Sequence, residues 1–180
     1  FMVNPGDRDE QKVVKYAEKA IDDDRFDDAT IIVLVNNDFS GGFCSHLKWV
    51  LGNSDIPAGC SIAYVSLTDM NVANDHSDIS QYNFGRTLLH EFGHAFAKLA
   101  DEYVGNNTEE IPEDYKGYLT LTHKSGHDKN VSIESDVTKT DGADFAADSR
   151  YDFENLGCYE GGDYYATGVY RPLADRKSVV

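Results

Sequence analysis

Basic residues are scarce: 16 Lys and Arg stand against 32 Asp and Glu, a formal net charge of −16. A surface of that sign repels phosphate backbones, which argues against nucleic acid as a partner. The acidic residues read as a solubilising surface. Clusters such as Asp22-Asp23-Asp24 and Asp27-Asp28 lack the alternating ligand pattern of an EF-hand calcium loop. No apolar run reaches the roughly 18 residues that a membrane-spanning helix requires. Cysteine is limited to Cys44, Cys60 and Cys158, with no C-x-x-C spacing, which excludes the usual structural zinc motifs. Cys44 and Cys60 bracket a loop-rich stretch and suit a disulfide in an oxidising compartment, with Cys158 left over; three buried thiols are the equal alternative. No repeat or low-complexity linker divides the 180 residues, so one catalytic-size domain over 1–180 is expected. The start at Phe1 lacks the charged and apolar regions of a signal peptide. Phe1-Met2-Val3 reads as the end of a strand, and Val179-Val180 closes without a terminating element. The expectation is a piece of a longer secreted or cell-surface protein.

What the chain does have is one H-E-x-x-H, His90-Glu91-Phe92-Gly93-His94. Two histidines four apart on a helix project from one face, a turn apart, and their imidazoles can converge on a zinc ion. Glu91 stands beside them as a base for water at the metal. A helix is predicted here. Asn83 is the candidate N-cap, and Phe84, Leu88, Leu89, Phe92, Ala95, Phe96 and Leu99 recur at helical spacing as a buried stripe. Gly93 in mid-helix suggests close packing beneath a metal. The bland alternative is a core helix with two incidental histidines.

A catalytic zinc needs a third protein ligand and an open position. In metzincin peptidases a Gly ends the helix after the second His, and a His or Asp follows three residues later. That register falls on Ala97 and Ala100, which cannot serve. Asp101 lies one position further. A straight helix would carry it about 10 Å beyond His94 along the axis, so the chain must turn just after the motif. Asp101 is the choice for third ligand, Glu102 the nearest competitor, and Glu110 the third, as Pro112 disfavours a helix there.

Elsewhere, Pro5-Gly6 makes a turn, and Asp7 with Glu10 fits a capping box. Val13, Val14, Ala17, Ala20 and Ile21 mark an amphipathic helix. The β-branched run Thr30 to Val35 predicts a strand covered on both faces and, with the strand end before the helix, a parallel pair joined by a right-handed crossover. Asn36 to Gly59 reads as irregular, with Trp49, Leu47 and Val50 as a small packing cluster. Ser61 to Leu67 is the next strand, and Thr68 to Gln81, with His76, a polar loop. Tyr118-Leu119-Thr120-Leu121 looks strand-like. His123 and His127 are also four apart, but Ser125-Gly126 between them argues against a second helical metal pair. Asp141 to Asp152 reads as an acidic surface loop, and the final segment is rich in Gly and Tyr.

The run from His90-Glu91-Phe92-Gly93-His94 to Leu99-Ala100-Asp101-Glu102-Tyr103 resembles the IgA-cleaving zinc metallopeptidase family of gut bacteria, as does Tyr164-Tyr165-Ala166-Thr167-Gly168-Val169-Tyr170-Arg171-Pro172. Ile31-Ile32-Val33-Leu34-Val35-Asn36 is compatible. The resemblance spans most of the chain, but only the first two blocks are specific. Two departures stand out. Lys98 occupies a position where the family usually has Gly, and Leu173-Ala174-Asp175-Arg176-Lys177-Ser178 lacks the Met expected in a Met-turn beneath the zinc.

The resulting expectation is an α+β, zincin or metzincin-like fold. It has a twisted mixed sheet, a backing helix, an active-site helix and an irregular C-terminal part. Residues 1–103 would form an upper subdomain and 104–180 a lower one. By fold analogy, the strand before the active-site helix lies at the sheet edge, where a peptide can add as another strand. The function implied is a zinc-dependent endopeptidase with His90, His94 and Asp101 on the metal and Glu91 as base, acting on a protein or peptide substrate such as immunoglobulin A or another host glycoprotein. Tyr164, Tyr165 and Tyr170 are candidates for an assisting phenol. The rivals are a catalytically silent zinc-binding adhesion or recognition module, against which the intact Glu91 argues, and a non-peptidase zinc hydrolase.

Overall fold

A computed structural model of the chain describes residues 10–36, 41–50, 52, 54–55, 58–67, 83–148 and 156–174. The fold is mixed α+β. The contacts divide it into two compact units, residues 1–97 with Val180, and residues 98–179. Among the described residues no helix is long and apolar enough to cross a membrane.

The first unit holds helix α1 (Glu10–Ala17), strands β1 (Thr30–Val35) and β2 (Gly42–His46), the short helix α2 (Leu47–Val50), strand β3 (Ser61–Ser66) and helix α3 (Asn83–Ala97). The strand order is β1-β3-β2, with β1 parallel and β2 antiparallel to β3. All six residues of β3 are buried. Side-chain alternation explains why. Ile62 and Tyr64 share a face with Ile31, Val33 and Val35 of β1 and with Phe43 of β2, and this face packs on Val13 of α1. Tyr64 and Phe43 stack across the strands at 4.4 Å. Ala63 and Val65 point the other way, and α3 packs against β3 and β2.

Several expectations need correction here. Strand β1 is covered on one face only: Ile32 and Leu34 remain 43% and 54% exposed. Among the described residues it is an edge strand, and α3 packs mainly on β3 and β2. The strand before the active-site helix among the described residues, β3, is central, with β1 and β2 at the edges. The stretch Asn36 to Gly59 contains β2 and α2, and Trp49 is 48% exposed, so it does not anchor a packing cluster. Leu47 does pack on the core. Phe1 to Val3, the capping residue Asp7 and the loop with His76 lie outside the described residues, so the expected crossover does too. The parallel pair present is β1 with β3. Cys44, Cys60 and Cys158 are all thiols, and Cys60 is buried.

The second unit contains β4 (Val104–Glu110), α4 (Glu113–Lys124), α5 (Ala143–Ala147), β5 (Leu156–Gly162) and β6 (Tyr164–Leu173). It is not irregular: its sheet runs β4-β6-β5, with β4 parallel and β5 antiparallel to β6. Ile111, Leu119, Val131 and Val169 form the core, flanked by Ala100, Tyr115 and Tyr165. The strand-like Tyr118 to Leu121 lies inside α4, where Leu119 and Thr122, three apart, face inward. Pro112 is the N-cap residue of α4, a place where its missing N–H costs nothing, so it starts the helix instead of preventing it. The helix ends in a Schellman motif: Gly126 at φ 86°, its N–H to the carbonyl of His123, and the N–H of His127 to that of Thr122. His123 and His127 are therefore separated by a turn. Their partners are local: the His123 Nε2 lies 3.0 Å from the Asp128 carbonyl oxygen, and the His127 Nδ1 3.2 Å from the Ser125 carbonyl oxygen. Part of the expected acidic loop, Ala143–Ala147, is helical.

Candidate metal centre

Helix α3 carries the motif as its spacing requires. The rings of His90 and His94 meet edge to face at 4.5 Å between centroids, and their Nε2 atoms are 3.0 Å apart. Two nitrogens on a tetrahedral zinc, each about 2.0–2.1 Å from the ion, would stand about 3.3 Å apart. The pair is thus within a few tenths of an ångström of ligand geometry, and imidazole suits zinc.

The face that α3 buries differs from the expected stripe. Glu91 and Ala95, four apart, are buried, whereas Leu89, Phe96 and Leu99 are exposed. Phe96 instead stacks on Phe92 at 5.1 Å. The reason lies on β2. A Cβ at Gly42 would meet the carbonyl oxygen of Tyr64 at 2.6 Å, Cγ of Glu91 at 2.7 Å and Cγ2 of Thr87 at 2.9 Å. Only a glycine allows the helix this close approach. The catalytic candidate Glu91 is consequently seated against the sheet backbone. Gly42 was not singled out from sequence, and nothing short of knowing that β2 runs beneath α3 would have revealed it.

The turn demanded after the motif is present. Helix α3 ends at Ala97, and Lys98 takes φ 58°, the left-handed conformation that glycine adopts most readily. The carbonyl of Lys98 then accepts the N–H of Asp128 at 2.8 Å. Beyond it the chain runs without regular structure to β4, and neighbouring side chains find different partners. Asp101 and Tyr103 meet Tyr164: the Tyr164 hydroxyl donates to Oδ2 of Asp101, and the Tyr103 hydroxyl donates to that of Tyr164 at 3.0 Å. Glu102 faces Asn130, whose Nδ2 donates to its Oε1 at 3.1 Å. Asn130 also exchanges two 2.8 Å hydrogen bonds with the backbone of Ala100. Burial raises the pKa of Glu102, a shift opposed by Asn130 and the charge of Arg171. Burial, reinforced by the bond to Asp101, also raises that of Tyr164, which keeps its phenol protonated as a donor.

His90, His94 and Asp101 each offer a ligand atom, all within 4.8 Å of one another. Two imidazoles and a carboxylate form a donor set that suits zinc. Among the described residues this is the group of His, Cys, Asp or Glu side chains able to hold a metal. Glu102 and Glu110 stand outside it. Glu110 ends β4 with a side chain 71% exposed, 3.6 Å from the Lys116 Nζ. Of the phenol candidates, Tyr164 reaches Asp101, Tyr165 packs on Tyr115 and Tyr170 bridges by its backbone to Ser132. The stretch from Asp175 to Ser178, where a methionine was missed, lies outside the described residues. Asn130 and Asp163 were not anticipated; no motif flags them, since their roles come from distant backbone groups.

No family model matches this chain, and no curated protein matches it significantly.

Proposed function

We propose that this protein is a zincin-like, metzincin-related zinc endopeptidase in which His90, His94 and Asp101 hold the metal and Glu91 is the general base. The reading is supported above all by the group of His90, His94 and Asp101, whose ligand atoms lie within 4.8 Å, on and just after the helix that carries Glu91. A bound zinc ion supplies Lewis acidity, which polarises a peptide carbonyl and acidifies water. The Glu91 carboxylate takes one proton from the attacking water and delivers it to the departing amine nitrogen as the C–N bond breaks. Water and a peptide bond thereby become a carboxyl group and an amine. The close approach of Glu91 Cγ to Gly42 limits the movement of that side chain, which suits a base that must act from a fixed position. The resemblance of the motif blocks points to host proteins outside the cell as substrates, with the immunoglobulin A heavy chain or another glycoprotein as the substrate class to try first.

The test is incubation with mixed host proteins and mapping of new N-termini. Cleavage should vanish in excess chelator and return with zinc. Glu91→Gln, which keeps size but takes no proton, should retain zinc stoichiometry and lose roughly 10²–10⁴-fold in turnover. Cleavage that persists in chelator overturns the zinc mechanism. Stoichiometric zinc without any peptide turnover would instead indicate a silent binding module.

A further inference from the structure

We infer that Tyr164 is a positioning residue for the metal centre: its hydroxyl locks the carboxylate of Asp101 in the orientation that makes it a ligand, and Tyr103 locks Tyr164 in turn. This inference rests on the zinc reading above and adds two residues to it.

Three observations converge. The first is the hydrogen-bond chain from the Tyr103 hydroxyl to the Tyr164 hydroxyl to Oδ2 of Asp101, with the two rings packed edge to face at 5.1 Å. A carboxylate that binds a metal through one oxygen needs a partner on the other to stop its rotation, and such partners tune metal affinity. The second is the backbone. Asp163 and Tyr164, at φ 47° and 69°, are the two residues of the hairpin between the paired Gly162 of β5 and Tyr165 of β6. Turns of that kind favour Asn-Gly, and a tyrosine in the left-handed region costs about 1–2 kcal/mol. Such strain persists where surrounding structure over-determines it. The third observation is what over-determines it. The N–H of Asp163 donates to the carbonyl of Asp101 at 2.7 Å, and the N–H of Tyr164 to that of Tyr103 at 3.1 Å. Oδ2 of the buried Asp163 accepts the Tyr115 hydroxyl at 2.8 Å. The turn is thus fastened by its main chain to the residues whose side chains it orients. A turn built for folding alone has no use for a phenol at its strained position.

The experiment is zinc affinity by competition with a chromophoric chelator, together with thermal unfolding of the zinc-free protein, for the parent, Tyr164→Phe and Tyr103→Phe. Loss of a hydrogen bond to a metal ligand typically lowers affinity by about 10–100-fold. Tyr164→Phe should fall in that range with the zinc-free unfolding midpoint unchanged. Tyr103→Phe, which acts only through Tyr164, should show a smaller loss. If Tyr164→Phe binds zinc within twofold of the parent, the inference is wrong while the zinc reading stands. A parent that binds no zinc overturns both. An affinity loss in Tyr164→Phe matched by an equal loss of zinc-free stability overturns the positioning role in favour of a purely structural one.

Discussion

The two imidazoles and the carboxylate are brought into position by different devices. His90 and His94 are set by helix geometry: once α3 forms, residues four apart share a face, and their Nε2 atoms lie 3.0 Å apart. Asp101 lies outside any helix or strand and is set by distant residues. Its segment is held by Asn130, through Ala100 and Glu102, and by the Asp163-Tyr164 turn. A helix carries its geometry in its own hydrogen bonds, whereas an irregular segment borrows its geometry from its neighbours. On the proposed zinc reading, the pairing of His90 with His94 should therefore survive substitutions that displace the Asp101 carboxylate.

The largest expected effect that tests this contrast is at the carboxylates themselves. Asp101 meets Tyr164, and Glu102 meets Asn130. Asp101→Ala should weaken zinc binding by more than about 100-fold, beyond the range seen for residues that only support a ligand. Glu102→Ala should leave zinc affinity within a few-fold but lower the unfolding midpoint, because Asn130 loses a partner. Glu110→Ala should change neither. Competition titrations of the three variants decide the matter. Zinc loss in Glu102→Ala with retention in Asp101→Ala would mean that the segment is used in the opposite register.

The same contrast explains what could be read in the sequence. The helix of the motif and the strands Thr30 to Val35 and Ser61 to Ser66 were legible because local pattern and final structure agree there. Strand β2 was not, since Gly42-Phe43-Cys44-Ser45-His46 has neither an apolar run nor a clear alternation; its pairing with β3 creates it. Helix α4 was hidden by Tyr, Thr and Leu in alternation, a strand-like pattern overridden by burial of Leu119 and Thr122. Asp101 was identifiable as a candidate by residue type and distance from the motif. The turn at Lys98 was required by that reasoning, but what fastens it, Asp128 and Asn130, is about thirty residues away in sequence.

Lys98 offers an intermediate test of where the helix's own geometry ends. Its φ of 58° strains any side chain bearing a Cβ, and glycine, which lacks one, is the remedy. Lys98→Gly should stabilise the protein by about 0.5–1 kcal/mol, the relief of the left-handed conformation less the greater entropy of an unfolded glycine. Zinc affinity should not change, because the backbone path is already the one glycine prefers. Urea unfolding measures the first and chelator competition the second. A destabilised variant would show that the lysine side chain contributes more than its backbone costs.

The smallest effect concerns pH and the scaffold behind the segment of Asp101. His127 closes the Schellman motif of α4, next to Asp128, whose N–H holds Lys98. Burial lowers the pKa of His127, against the raising influences of Asp128 and the Ser125 carbonyl. The sign follows from linkage. Below the ordinary histidine value of about 6.5 the unfolded chain takes up a proton that the folded one resists. The stability contributed by neutral His127 is therefore complete above pH 6.5 and drains away as pH falls toward the lowered folded value. Ordinary carboxylates titrate further down, and Glu102, whose pKa burial raises, is common to parent and variant, so the difference between the two from about pH 7.5 to 5 reports His127. In zinc-free protein, parent stability should decline over that window more steeply than that of His127→Asn. Hydrogen exchange should localise the change. The Ala100 amide, bonded to Asn130, should lose protection at pH 5, while amides in the middle of α3 keep theirs. Equal loss in α3 would mean that the change is not local to the Ala100–Asn130 contact, and the contrast between helix and borrowed geometry would fail.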